Sequence, residues 1–166
     1  MFSRRTILLG GAAVLGALGI RGFGFGFTEP AMAESFEVEK TVEQWKAQLS
    51  AQQFAVLRRE ATERPGSSPL NKEHRAGVFS CAGCDLPLFS SETKFESGTG
   101  WPSFFRPLPE AVGTRTDRAL GMARTEVHCR RCGGHLGHVF DDGPKPTGLR
   151  YCMNGVAMTF KASQTG

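Results

Sequence analysis

Hydrophobic and polar positions change rhythm twice along this chain of 166 residues. The first rhythm is an uninterrupted apolar run rich in Gly and Ala, Ile7–Ile20. The second is helical. Thr41-Val42-Glu43-Gln44 has the form of a capping box, and Trp45 and Leu49 follow at i, i+4 spacing, which predicts a short amphipathic helix over 42–49. Ser50-Ala51-Gln52-Gln53 repeats the signature. Phe54, Val56 and Leu57 give the next helix its apolar side, ending near Thr62 before the Pro65-Gly66-Ser67-Ser68-Pro69 loop. From there only short apolar runs occur: 77–79, 86–89, 104–105, 119–124, 125–128, 136–140, 150–153 and 157–160. Gly, Pro and Asp clusters such as Asp141-Asp142-Gly143-Pro144 punctuate them. Several short strands between turn signals predict an antiparallel, mainly β body behind a helical lead.

The Ile7–Ile20 run is shorter than the ~20 residues needed to cross a bilayer and matches a signal-peptide core. Arg4-Arg5 stand directly before it, resembling a twin-arginine export signal, and Ala31-Met32-Ala33 supplies a small-x-small cleavage site. The expected organisation is therefore a leader over 1–33 and a single domain over 34–166. No cysteine lies near the cleavage site for lipid attachment, so no stable membrane anchor is expected once the leader is removed. The expected destination is the bacterial periplasm. Because the twin-arginine route carries folded proteins, a metal could be loaded before crossing.

A hydrophobic fraction of 40% and a charged fraction of 22% are those of a globular protein, and 21 Gly with 13 Phe fit a loop- and strand-rich body. The formal charge of +4 shrinks to +2 once Arg4, Arg5, Arg21 and Glu29 of the leader are set aside. A nearly neutral mature chain argues against a nucleic-acid partner.

Five cysteines carry the candidate chemistry. Cys81-Ala82-Gly83-Cys84 and Cys129-Arg130-Arg131-Cys132 are two Cys-x-x-Cys pairs. Each can place two thiolates on one tight turn, and two such turns together make a closed four-sulfur site for one structural zinc ion. In an exported protein the same cysteines could form disulfides, and a lone pair could be a redox dithiol; two matching pairs in one small domain favour zinc. Cys152 is left over, beside Arg150 and downstream of His135 and His138. A thiol with a cation and imidazoles nearby is a candidate nucleophile, against the plainer reading of a buried inert cysteine.

Taken in order, Cys81-x-x-Cys84, Ser97-Gly98-Thr99-Gly100-Trp101-Pro102-Ser103-Phe104, the stretch from Cys129 through His135-Leu136-Gly137-His138-Val139-Phe140 to Pro144, and Gly148-Leu149-Arg150-Tyr151-Cys152-Met153-Asn154 resemble the type B methionine sulfoxide reductases. The resemblance runs from about Lys40 to Lys161. It implies two antiparallel sheets in a sandwich- or barrel-like body, small N-terminal helices and a zinc site remote from the chemistry. It implies Cys152 as nucleophile, His135 and His138 as active-site imidazoles, Arg150 and Asn154 flanking the nucleophile, and Trp101, with Phe140, as the substrate-binding aromatic wall. The activity implied is reduction of the R epimer of methionine sulfoxide in peptides or proteins, leaving a sulfenic acid on Cys152. A cation such as Arg150 favours a thiolate, and a histidine is suited to protonate the departing oxygen.

Many members of that family carry a resolving cysteine in the Gly-x-Gly-Trp-Pro-Ser-Phe segment. This chain has Thr99 there, and no cysteine precedes Cys81. With four sulfurs committed to zinc, the sulfenic acid is expected to be attacked by an external thiol donor, thioredoxin-like or small. A monomer is expected. Two other classes compete: a zinc-stabilised binding module with a dead site, and a Cys-x-x-Cys disulfide oxidoreductase, which the absent βαβ pattern disfavours.

Overall fold

A computed structural model describes residues 34–118 and 121–164, all within the unit Glu34–Gly166. The predicted leader, 1–33, lies outside the described residues.

Both capping boxes form. Helix α1, Val42–Gln48, starts where Thr41 Oγ1 accepts the Gln44 N–H and Gln44 Oε1 accepts the Thr41 N–H. Helix α2, Ala51–Arg59, repeats the arrangement with Ser50 and Gln53. α2 stops three residues short of the predicted end at Thr62. Glu60 takes a left-handed conformation (φ 56°), and the Ala61 N–H turns back to the Ala55 carbonyl at 3.0 Å. The Glu60 carboxylate pairs with Arg115 Nη2 at 2.8 Å, which offsets the cost of a left-handed non-glycine residue.

Among the described residues, nine strands make two antiparallel sheets. β1 (Gly77–Cys81) lies between β2 (Pro87–Ser90) and β9 (Met158–Ala162). The larger sheet runs β3 (Lys94–Phe95), β4 (Ser103–Phe104), β8 (Arg150–Met153), β7 (His135–Phe140), β6 (Arg124–Cys129), β5 (Val112–Asp117). The mainly β expectation therefore holds. One predicted strand, 119–124, differs: of its described residues, 121–124, only Arg124 is in a strand, and 121–123 belong to the connection between β5 and β6. The chain instead forms β5 from Val112-Gly113-Thr114-Arg115-Thr116-Asp117, a polar sheet edge with too few apolar residues to show as a strand in the sequence.

Phenylalanines join the two sheets. Phe89 and Phe104 stack with centroids 4.3 Å apart, and Phe79 meets Phe104 edge-on at 5.0 Å. All three are fully buried, together with Leu88, Leu136 and Met153. Burying each such side chain is worth about 1.5–3 kcal/mol, so this layer holds the larger sheet's middle strands, β4, β8 and β7, in fixed register.

Candidate active site

That register places the chemistry. Cys152 on β8 lies directly opposite His138 on β7 and Ser103 on β4. His138 in turn is opposite Glu126 on β6, and Glu126 is opposite Arg115 on β5. Residues paired across neighbouring strands share a face, so one row across five strands reads Arg115, Glu126, His138, Cys152, Ser103. His135 sits three positions before His138 and would point to the other face of a regular strand. The β6–β7 register shifts between Val127 and His128, skipping Leu136, and this bulge restores His135 to the same side. Its ring then meets that of His138 edge-on, centroids 5.4 Å apart. Gly137 within the bulge has no room for a side chain, since a Cβ would run into the Cys152 carbonyl.

Cys152, His138, Trp101, Phe140 and Asn154 line one cavity of about 140 Å³, joined by Thr62 and Arg124. Two of the predicted residues stand outside it. His135 is buried (2% exposed) behind His138. Arg150 lies over the outer face of Phe140, its guanidinium carbon 4.5 Å from the ring centroid. A larger cavity of about 660 Å³ lies between α2 and the 61–70 loop, but neither thiol nor imidazole lines it.

Each ionisable site residue has a partner that the sequence motifs did not disclose. Arg150 donates through Nε and Nη2 to both oxygens of Asp142, each at 2.8 Å. That fork raises the guanidinium pKa further, and the Cys152 sulfur acts in the same direction. His138 Nε2 is 2.8 Å from Asp117 Oδ2, which also accepts from Arg124 Nη2 at 2.6 Å. Burial pushes the His138 pKa below the usual imidazole range, while Asp117 opposes the shift. His135 Nδ1 is 2.8 Å from Glu126 Oε1, and Arg115 forks onto the same carboxylate. Burial pushes Glu126 up, but His135 and Arg115 outweigh it and hold its pKa at about 2. His135 Nε2 is buried with no hydrogen-bond partner.

Beside the nucleophile, Thr99 Oγ1 lies 3.8 Å from Cys152 Sγ. Its hydroxyl is 2.8 Å from that of Ser97, which is 2.7 Å from that of Ser103. Asn154 Nδ2 donates to the Leu136 carbonyl, and its Oδ1 accepts the Glu63 N–H at 2.9 Å. The Trp101 indole N–H donates to the Glu63 carbonyl at 3.1 Å. Sequence reading passed over Glu63, Asp117, Glu126 and Asp142. Asp142 was visible as part of a turn signal, whereas the other three occur in no recognisable pattern.

The two Cys-x-x-Cys pairs form a second centre. Cys81 ends β1 and Cys129 ends β6, so each pair occupies a hairpin turn, one in each sheet. The four Sγ atoms lie within 4.8 Å of one another, with Cys81–Cys132 at 3.8 Å and Cys84–Cys129 at 3.5 Å. A tetrahedral ion with ~2.3 Å bonds to sulfur sets its ligands about 3.8 Å apart, so the donor set fits such an ion. The Gly83 N–H points at Cys81 Sγ (3.4 Å). Sulfur neighbours, Cys129 foremost, push the Cys81 thiol up; Cys132 is drawn down, again chiefly by Cys129. Four thiols in contact need a cation to ionise together.

Comparison with known proteins agrees with this geometry. Residues 49–162 match the family model described as the SelR domain. The peptide methionine sulfoxide reductase MsrB of Pseudomonas putida (strain W619) is 53% identical over 126 residues, covering 75% of this chain and 95% of that protein. The MsrB of Agrobacterium fabrum is 52% identical over 126 residues, covering 75% and 93%. That of Methanosarcina barkeri is 52% identical over 130 residues, covering 78% and 92%.

Proposed function

This chain belongs to the SelR domain family, the type B methionine sulfoxide reductases, and from that premise we propose that Cys152 reduces the R epimer of peptide methionine sulfoxide within the Trp101–His138 cavity. One observation carries the assignment of roles: the thiol and an imidazole face each other in register on the wall of a cavity closed by an indole.

Sulfoxide sulfur is electrophilic, but its oxygen leaves only when protonated. Arg150, locked by Asp142, places a fixed cation close to the Cys152 sulfur. Trp101 and Phe140 receive the S-methyl group, an apolar and polarisable fit. The thiolate attacks sulfur while His138 gives a proton to the oxygen. The substrate gains two electrons and becomes methionine; Cys152 loses two and becomes a sulfenic acid. His135 touches no substrate, and its part is to hold a protonatable ring against His138, itself fixed by Glu126.

With Thr99 beside Cys152, a first external thiol attacks the sulfenic acid, releasing water and leaving a mixed disulfide. A second thiol frees Cys152. A thioredoxin-like protein or a small thiol suits that role.

Cys81, Cys84, Cys129 and Cys132 would hold one zinc ion. Four sulfur ligands leave no open position, so the ion supplies structural cross-linking between the two sheets and takes no part in the reaction. The leader motif Arg4-Arg5 with Ala31-Met32-Ala33 supports export of the folded enzyme to the periplasm. There it would act as a monomer on oxidised exported proteins, drawing thiol equivalents from outside the cytoplasm.

The test is turnover of R- against S-methionine sulfoxide with dithiothreitol, by the native enzyme and by C152S. Activity on the R epimer alone, abolished in C152S, is expected. Activity surviving in C152S, or none on the R epimer, overturns the reading.

A further inference from the structure

We propose that Glu63 is a positioning residue for this reaction, holding Trp101 and Asn154 in their working orientations at once; the proposal rests on the reading of the Cys152 cavity as the sulfoxide site. Glu63 stands 91 residues before Asn154, on the 60–65 segment between α2 and the Pro65 loop. Its peptide unit is engaged on both sides. The carbonyl is the acceptor for the Trp101 indole N–H, and the N–H donates to Asn154 Oδ1.

Its carboxylate explains why the Asn154 amide is available. Asn154 is the N-cap residue of the short 3₁₀ turn Gly155–Ala157. Asn is among the preferred residues for that place because its side chain ordinarily folds over the first free N–H groups of the turn. Here it makes no such bond. Glu63 makes the cap instead, Oε1 accepting from Gly155 N at 2.6 Å and Oε2 from Val156 N at 2.9 Å. Because a carboxylate remote in sequence satisfies those donors, the Asn154 side chain can extend to Leu136 and Glu63 and stay on the cavity wall.

Removing the carboxylate leaves two donors open one and two residues beyond Asn154. The Asn154 amide oxygen, on the N-cap residue of that same turn, is then the acceptor placed to fold over them. Its collapse onto the turn withdraws Asn154 from the cavity and breaks its bond to the Glu63 N–H. The Glu63 peptide unit then loses its anchors, and the Trp101 indole loses the acceptor that fixes its ring plane. The substrate's methyl pocket loosens although no residue touching substrate has changed.

The experiment compares E63A, E63D and E63Q with the native full-length enzyme by steady-state kinetics on R-methionine sulfoxide with dithiothreitol, and by acrylamide quenching of tryptophan fluorescence. The chain has two tryptophans, and Trp45 is 5% exposed, so quenching reports chiefly on Trp101. E63A is expected to lose about 10- to 100-fold in kcat/KM, most of it as a rise in KM, as ~1 Å misplacement of a binding group does. Its quenching constant should rise about twofold as the indole is released. E63Q keeps an amide oxygen for one of the two N–H groups and should stay within about fivefold of native. E63D, one methylene shorter, cannot reach the turn and should behave as E63A; it decides the matter if E63A does not fold. Native KM and native quenching in E63A or E63D overturn the proposal, as does a loss confined to kcat with quenching unchanged. If the native enzyme does not reduce the R epimer, the functional reading falls, while quenching still decides whether Glu63 holds the indole.

Discussion

Replacing Asp117 by Asn isolates the charge behind His138. The amide oxygen of D117N can still accept from His138 Nε2, so the ring keeps its place while the carboxylate's charge is removed. Asp117 Oδ2 lies 2.8 Å from Nε2, and the two side chains are only 14% and 12% exposed. Unit charges about 4 Å apart attract by about 4 kcal/mol at an effective dielectric constant of ~20. Arg124 shares the same carboxylate oxygen and repels an imidazolium, cancelling part of that attraction. The net effect of Asp117 on the ring is therefore smaller than that attraction alone. The sign is fixed: Asp117 favours the protonated ring, so D117N lowers the His138 pKa further below its ordinary value.

A general acid works below its pKa and fails as pH rises through it. The alkaline limb of the single-turnover rate should therefore move to lower pH in D117N, with a loss at neutral pH that recovers in mild acid. The assay is sulfenic acid formation on Cys152 against pH, with His138 titrated by NMR in parallel. An unmoved alkaline limb, or a loss uniform across pH, refutes the reasoning by showing that Asp117 acts through structure alone.

Glu126, whose pKa is held at about 2 against an ordinary 4.5, contributes stability that is complete above pH ~4.5 and lost as pH falls towards 2. E126Q should lose about 2 kcal/mol at neutral pH, a figure reduced for the 40% exposure of the Arg115 side chain, and should show a flatter acid-unfolding slope in that window. Unchanged urea stability at neutral pH would contradict this. T99C places a thiol where Thr99 Oγ1 stands 3.8 Å from Cys152 Sγ, so peptide mapping after one turnover should find a new disulfide to Cys152; a sulfenic acid still free to react with dimedone would count against that geometry. If the four sulfurs hold zinc as proposed, elemental analysis should find one zinc per native chain and a marked fall in C81S, with Tm lower by more than about 10 °C. Full zinc content in C81S would show that the four sulfurs are not its ligands.

What the sequence disclosed and withheld divides along physical lines. The capping boxes at Thr41 and Ser50 are local hydrogen-bond patterns, and both helix starts were readable from them. The cysteine pairs announced themselves by spacing, and they meet through hairpin turns whose left-handed positions fall at Asp85 and Gly133. Cys152, His138, Trp101, Phe140 and Asn154 were found through their motifs and do meet at one cavity. Asp117, Glu126 and Glu63 were not legible, because their importance comes from cross-strand register or from hydrogen bonds that reach across the fold. The end of α2 was missed for a related reason. Glu60 is an ordinary helix residue by propensity, and its left-handed cap goes with an ion pair to Arg115 on a strand the sequence barely marks.

The bulge at Leu136 also determines where this gene can change length. Loop insertions between Pro144 and Gly148 leave the pairing of β7 with β8 untouched, and with it the opposition of His138 and Cys152. Deleting Leu136 would remove the bulge yet leave His135 two positions before His138, on the same face of a regular strand, at the cost of a fully buried leucine. A codon lost there costs the core a leucine rather than the site an imidazole. The family's variability in length should accordingly collect in the turns and stop short of the Cys132–His138 segment.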